Sequence, residues 1–264
     1  MKSNKLNITK IKQSKNNTKL TMITAYDALF ARLFDNQVDM ILVGDSLNMS
    51  FGGNSDTLGI TLDQMIYHTN AVCNGAKDTF VILDMPFGTY NTKNEALKNA
   101  VKVYKETNCD AIKIEGGEDR ADIIAHLVKN SIAVIAHIGL MPQFVRSEGG
   151  YKVRGKTKED EEQLLKDIKA VEKAGAFAVV IEGVKSEVAS RLTKAVEIPT
   201  IGIGAGSDTD GQVLVWSDMF GFFEEFKPKF VRTYLNGANQ IKNGLTNYIQ
   251  DVKNGNFPNQ EESY

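Results

Sequence analysis

The stretch Asp110-Ala111-Ile112-Lys113-Ile114-Glu115-Gly116-Gly117 constrains the fold more than any other part of the chain. Its β-branched residues and Gly-Gly stop read as a buried strand. Successive side chains of a strand point to opposite faces, so Ile112 and Ile114 share one side and Lys113 and Glu115 the other. With helices over the isoleucines, the inner face carries a lysine and a glutamate. Buried charges are costly unless they pair with one another, a metal or a ligand. The strand end is therefore a candidate for chemistry. A structural Lys–Glu pair or a partly exposed strand end is the plain alternative.

Short apolar runs alternate with helical stretches along the rest of the chain. Strands are predicted at 20–24, 39–44, 79–84, 110–115, 132–137, 177–181 and 198–202, with 213–216 as an eighth candidate. Helices are predicted over 27–36, from 61 onward, and over 93–107, 119–130, 158–174 and 186–196. Beyond Pro228 the chain reads as helical, ending in an amphipathic helix marked by Ile241, Leu245, Tyr248, Ile249 and Val252. Strands alternating with helices imply a parallel sheet. About eight such units in 264 residues favour a closed α/β barrel, the (β/α)8 or TIM type, over an open doubly wound sheet. Without a repeat or a linker, residues 1–264 are expected to form a single barrel domain with a C-terminal helical extension.

Composition narrows the function classes. Thirty-one basic and 33 acidic residues leave a net charge of −2, which gives no footprint for nucleic acid or an anionic membrane. No apolar run is long enough to span a bilayer, and 1–19 is rich in Lys and Asn, unlike a signal peptide. A cytoplasmic location is the default expectation. Cys73 and Cys109 read as free thiols in a reducing compartment, and His68, His126 and His137 form no zinc pattern.

In a (β/α) barrel, active sites are built at the C-terminal ends of the strands. The residues there are Asp45, Ser46, Asp84, Lys113, Glu115, His137 and Glu182. Carboxylates gathered at one mouth cannot all stay ionised without a cation. Hard oxygen donors favour Mg²⁺, although each acid taken alone reads equally as a helix cap or salt bridge. A small 2-oxo acid would fit beside such a cation, its carboxylate meeting Lys113 and the Ser46 hydroxyl. Proton removal next to the keto group needs a base outside the metal's ligands, and Glu182 is the candidate. His137 reads as a further substrate contact or a packed strand-end histidine, and His68 and His126 as structural. Gly202 to Gly206 reads as a phosphate cradle or a tight turn, and the long Gly149–Lys156 loop as a lid or a solvated loop.

Nine motifs occur in order: Thr24-Ala25-Tyr26-Asp27, Val43-Gly44-Asp45-Ser46-Leu47, His68-Thr69, Asp84-Met85-Pro86-Phe87-Gly88, Ile112 to Gly117, His137-Ile138-Gly139-Leu140, Gly149-Gly150-Tyr151-Lys152-Val153, Ile181-Glu182-Gly183 and Gly202 to Gly206. Together the chain resembles the ketopantoate hydroxymethyltransferase family of the pantothenate pathway, from about Lys19 to the final helix. The resemblance implies a barrel of the phosphoenolpyruvate mutase/isocitrate lyase type, Mg²⁺, 5,10-methylenetetrahydrofolate as one-carbon donor and a large homo-oligomer, a homodecamer in the family. It implies Asp45, Asp84 and Glu115 as metal ligands, the last directly or through water. Asp45, Ser46, Asp84, Lys113 and His137 would contact substrate, and Glu182 would be the base. Three positions depart from the family pattern: Asn48 for a usual glycine, Gly59 where proline is common, and Glu148 at a usually apolar site. A carbon–carbon lyase or mutase on the same barrel is the nearest rival, and a non-catalytic metabolite-binding barrel is another.

Overall fold

The computed structural model describes residues 5–224 and 227–264. Eight parallel strands close into a barrel in the order β1 to β8. They are β1 (Leu20–Thr24), β2 (Met40–Val43), β3 (Phe80–Asp84), β4 (Ala111–Glu115), β5 (Val134–Gly139), β6 (Ala178–Glu182), β7 (Thr200–Ile203) and β8 (Gly211–Leu214). The helices of this unit are α1 (Ile8–Gln13), α2 (Ala28–Phe34), α3 (Leu47–Ser50), α4 (Leu62–Gly75), α5 (Lys93–Glu106), α6 (Ala121–Lys129), α7 (Lys158–Lys173) and α8 (Ser186–Lys194). Their starts are written in the sequence. Thr61 and Gln64 make a reciprocal capping box on α4, and Thr92 and Thr157 cap α5 and α7.

The barrel interior is filled by the alternate residues of each strand, among them Met22, Met40, Ile82, Ile135, Val180 and Ile201. Ile112 and Ile114 are fully buried on the other face. The period of two then fixes Lys113 and Glu115 on the inside, as the sequence reading requires. Register does the rest: Asp84 pairs with Lys113, Glu115 with His137, and Gly139 with Glu182. Neighbouring strands therefore deliver their terminal polar residues to one rim.

Within this unit, four stretches differ from the sequence expectation. α1 was not anticipated, because only Ile11 in this Lys- and Asn-rich segment is deeply buried, where it joins the interior cluster. Behind it, Lys15 pairs with buried Asp210 at 2.9 Å, and Asp210 also accepts from the Thr200 N–H and hydroxyl. β5 begins and ends two residues later than expected. β8 is Gly211–Leu214 rather than 213–216: a side chain at Gly211 would stand 2.5 Å from the Leu20 carbonyl oxygen, so only glycine lets β8 approach β1, and glycine hides a strand from propensity. Leu47–Ser50, expected as loop, makes one helical turn.

Residues Met1–Val215 and Trp216–Tyr264 form two compact units. The second holds α9 (Trp216–Met219) and α10 (Gly237–Asn254), the latter ended by left-handed Gly255. Helix does not run on from Pro228 as expected: residues 227–236 are non-helical. Val231, Thr233 and Tyr234 lose side-chain freedom in a helix, and Pro228 lacks an N–H, so helix begins only at Gly237. On α10, Ile241, Leu245, Tyr248, Ile249 and Val252 are all exposed. Among the described residues, no helix is long and apolar enough to cross a membrane.

Candidate active site

Asp45, Asp84, Lys113, Glu115 and His137 are all buried at the C-terminal rim and converge. The Lys113 ammonium lies 2.8 Å from Asp84 Oδ1 and 3.5 Å from Glu115 Oε1. It also stands 3.2 Å from His137 Nδ1. An ammonium can only donate, so that contact needs a lone pair on Nδ1. Nδ1 also faces Glu115 Oε1 at 3.4 Å, and Nε2 faces Glu182 Oε2 at 3.3 Å, so the ring lies between two carboxylates. Glu182 is the more open acid, with about a fifth of its side chain accessible (18%), against none for Glu115.

Each buried acid is held through one oxygen by an N–H. Asp84 Oδ2 accepts from the Asp45 backbone at 3.2 Å, Glu115 Oε2 from the Gln143 backbone at 3.0 Å, and Asp45 Oδ2 from the Gln143 amide at 2.9 Å. The other oxygens of Asp84 and Glu115, Oδ1 and Oε1, are buried without a hydrogen bond. Both are ion-paired with Lys113, and Glu115 Oε1 also faces His137 Nδ1 at 3.4 Å. Two buried carboxylate oxygens turned toward one cation have the chemistry a hard divalent ion requires. Among the described residues, however, no three such side chains already surround a common point. In this structure the neutralising charge is Lys113, where the sequence reading placed a metal.

The electrostatics follow from that packing. Burial, with Asp84 and Glu115 nearby, pushes the Asp45 carboxyl well above its usual range. Burial also raises Asp84, and the Lys113 charge only partly offsets it. Burial would raise Glu115 too, but Lys113, His137 and the Gln143 N–H outweigh it and bring the carboxyl below its ordinary value. Lys113 is raised despite burial, because Asp84, Glu115 and Asp45 favour its charge. Burial and Lys113 disfavour a second proton on His137, whereas Glu115 and Glu182 favour it and draw the group up to about 9.

Ser46 begins α3 without capping it, and its hydroxyl instead shares a 2.8 Å hydrogen bond with Tyr26. Tyr26 is fixed in turn by His68, whose Nδ1 lies 2.7 Å from the Tyr26 carbonyl oxygen, a structural role as expected. The loop after β5 crosses to the loop after β2, through Arg146 with Asp56 at 2.9 Å and Tyr151 with Met49 Sδ at 3.9 Å. In the 202–206 turn, Gly204 and Gly206 have φ of 61° and 81°, and a side chain on Gly206 would stand 2.6 Å from Ser186 Cβ. The turn alone accounts for those glycines. Cys73 lies on α4, and Cys109 precedes β4 at the far end of the barrel, so neither thiol reaches the rim.

Sequence reasoning missed Gln143 and Tyr90. Both sit in loops, where no period marks the inward positions, and neither residue type announces chemistry.

Comparison with known proteins agrees with the sequence resemblance. The family profile described as ketopantoate hydroxymethyltransferase matches residues 5–260. The 3-methyl-2-oxobutanoate hydroxymethyltransferase of Aliarcobacter butzleri is 72% identical over 98% of this chain and 97% of its own length. Its counterpart in Helicobacter pylori (strain ATCC 700392 / 26695) is 54% identical over 98% and 96%. Among solved structures, 2,3-dimethylmalate lyase, a PEP mutase/isocitrate lyase superfamily member, superposes with a TM-score of 0.61 at 15% identity, covering 98% of this chain and 92% of that one. Phosphonopyruvate hydrolase, solved with oxalate and Mg²⁺, gives 0.61 at 12%, covering 97% and 93%. At such identities these two establish the barrel type alone. The full-length profile match and near-full-length relatives together place this chain in the ketopantoate hydroxymethyltransferase family.

Proposed function

We propose that the chain transfers a hydroxymethyl group from 5,10-methylenetetrahydrofolate to C3 of 3-methyl-2-oxobutanoate, giving 2-dehydropantoate, with Mg²⁺ at the acid cluster. One observation carries this reading. The buried acids are tethered through one oxygen each, with the inner oxygens of Asp84 and Glu115 turned toward the Lys113 cation, while a separate, more open Glu182 stands across His137.

Asp45, Asp84 and Glu115 would hold the metal, which supplies Lewis-acid polarisation of the keto group when bound. Lys113 and the Ser46 hydroxyl bind the substrate carboxylate, Lys113 turning its charge from the acids to the incoming anion. That orients C3 toward Glu182. Glu182 takes the C3 proton, and His137, 3.3 Å from Glu182 Oε2, steadies the carboxyl through Nε2. The C3 electron pair then forms a carbon–carbon bond to the folate methylene as a C–N bond breaks. Water supplies the hydroxyl oxygen when the second C–N bond opens, and tetrahydrofolate leaves. The loop after β5 limits bulk water over the reacting carbon. The exposed apolar face of α10 supports self-association into a homo-oligomer.

With Mg²⁺ and no folate, the enzyme is expected to exchange the C3 proton of 3-methyl-2-oxobutanoate with D₂O, followed by proton NMR. Glu182→Gln should abolish this exchange; a variant exchanging at the wild-type rate removes Glu182 as the base.

A further inference from the structure

Gln143 touches more of the acid cluster than any residue outside it. It is buried, and its backbone N–H donates to Glu115 Oε2 at 3.0 Å. Its side-chain amide nitrogen donates to Asp45 Oδ2 and to the Met85 carbonyl oxygen, both at 2.9 Å. Its amide oxygen accepts from the Tyr90 hydroxyl at 2.5 Å. Tyr90 in turn accepts from the Glu115 backbone N–H at 3.4 Å. The bonds close a ring from Glu115 through Tyr90 and Gln143 back to Glu115.

The directions in that ring are forced. A carbonyl oxygen can only accept, so the Gln143 atom beside Met85 is the NH₂ group. The amide oxygen must then face Tyr90. Tyr90 has a single proton, and burial beside Glu115 and Asp84 keeps it on the oxygen. Turning the amide over would set its oxygen against both the Asp45 carboxylate and the Met85 carbonyl. Met85 fixes which way the amide is turned, and Tyr90 anchors its oxygen, so that together they point the Gln143 donor at Asp45.

We propose that Tyr90 and Gln143 are positioning residues that fix which oxygens of Asp45 and Glu115 face the divalent cation. This rests on the metal reading above. An N–H on the outer oxygen holds each carboxylate plane and turns the inner oxygen toward the shared centre. Without it, the carboxylate plane is free to turn, and the inner oxygen loses its fixed direction toward the shared centre. Gln143 belongs to the single turn Pro142–Phe144 at the start of the loop after β5. Displacing that turn withdraws both donors, from Asp45 and Glu115, in one movement. Cation binding and the seating of this loop are thereby linked.

The test is Mn²⁺ titration of the metal-free protein by electron paramagnetic resonance, with no substrate or turnover involved. Tyr90→Phe removes only the orienting hydroxyl, and Gln143→Leu removes the amide. Each is expected to raise the Mn²⁺ dissociation constant by about 10- to 100-fold, the usual effect of losing a group that orients a metal ligand. Tyr90→Phe keeps the ring that fills this buried site, so it reports on the proposal even where Gln143→Leu fails to fold. Amide hydrogen exchange gives a second readout: Mn²⁺ should slow exchange across residues 141–150 in the wild type and less so in Tyr90→Phe. Variants that bind Mn²⁺ as the wild type does overturn the positioning role. A wild type that binds no Mn²⁺ overturns the metal reading beneath it.

Discussion

Replacing Lys113 by methionine asks what its charge is worth. At 2.8 Å and 3.5 Å, the ammonium attracts Asp84 and Glu115 by about 6 and about 5 kcal/mol at an effective dielectric near 20. Burying three ions costs several kcal/mol each and cancels much of that gain. Removing one partner leaves the acids buried and unpaired, which costs about 3–5 kcal/mol. For a chain of this size that lowers Tm by roughly 6–20 °C. Lys113→Met in EDTA, followed by differential scanning calorimetry, should show a loss in that range. Mg²⁺ should then return more stability to the variant than to the wild type, because it restores the missing positive charge; at 100 times its Kd the gain is about 2.7 kcal/mol. A variant as stable as the wild type in EDTA would refute the premise that the acids are held by charge. A variant that is destabilised but indifferent to Mg²⁺ would keep that premise and remove the cation from the site.

Burial pushes the Cys73 thiol up to about 11 and the Cys109 thiol up to about 12. Thiolate forms only as pH rises toward these values, so a disulfide reagent at pH 8 should leave both unmodified in the native protein and titrate two thiols in guanidinium; rapid native reaction would place a thiol at the surface. Leu245→Glu on the exposed apolar face of α10 should reduce the mass seen by light scattering after size exclusion, and an unchanged mass would remove that face as a subunit contact. Gly59→Pro should destabilise the native chain, because a β-carbon there meets the Asn48 amide at 3.3 Å, but should cost less in the Asn48→Gly background. Urea unfolding should give a coupling of about 1 kcal/mol, and additive effects would show the two positions to be independent.

The acid rim was legible because two rules of strict period meet there. A strand shows alternate faces, and a barrel gathers strand ends, so Asp84, Lys113, Glu115, His137 and Glu182 could be placed together from sequence. Their pairing in register follows from β3, β4, β5 and β6 lying side by side. The groups that hold these acids were not legible. Gln143 and Tyr90 lie in loops whose course is set by contacts far apart in sequence, 53 positions from each other. β8 was shifted for a related reason: its fit depends on the absence of a side chain at Gly211, a tertiary demand with no local signal. The three departures from the family pattern show the same logic working inside the chain. Asn48 bonds to the Asp56 carbonyl and accepts from Asn54, and its amide lies where a side chain at Gly59 would stand, so the two positions pack as one unit. Glu148 pairs with Arg154 at 3.2 Å, which makes a polar residue tolerable at that position. Asn48 sits in α3 and Gly59 beyond it, Glu148 lies in the loop after β5, and the Asn48 backbone N–H donates to the Asp45 carbonyl oxygen at 2.9 Å, leaving the Asp45 carboxylate to Gln143. The acid cluster is over-determined by its ring of donors, whereas a loop needs only local satisfaction.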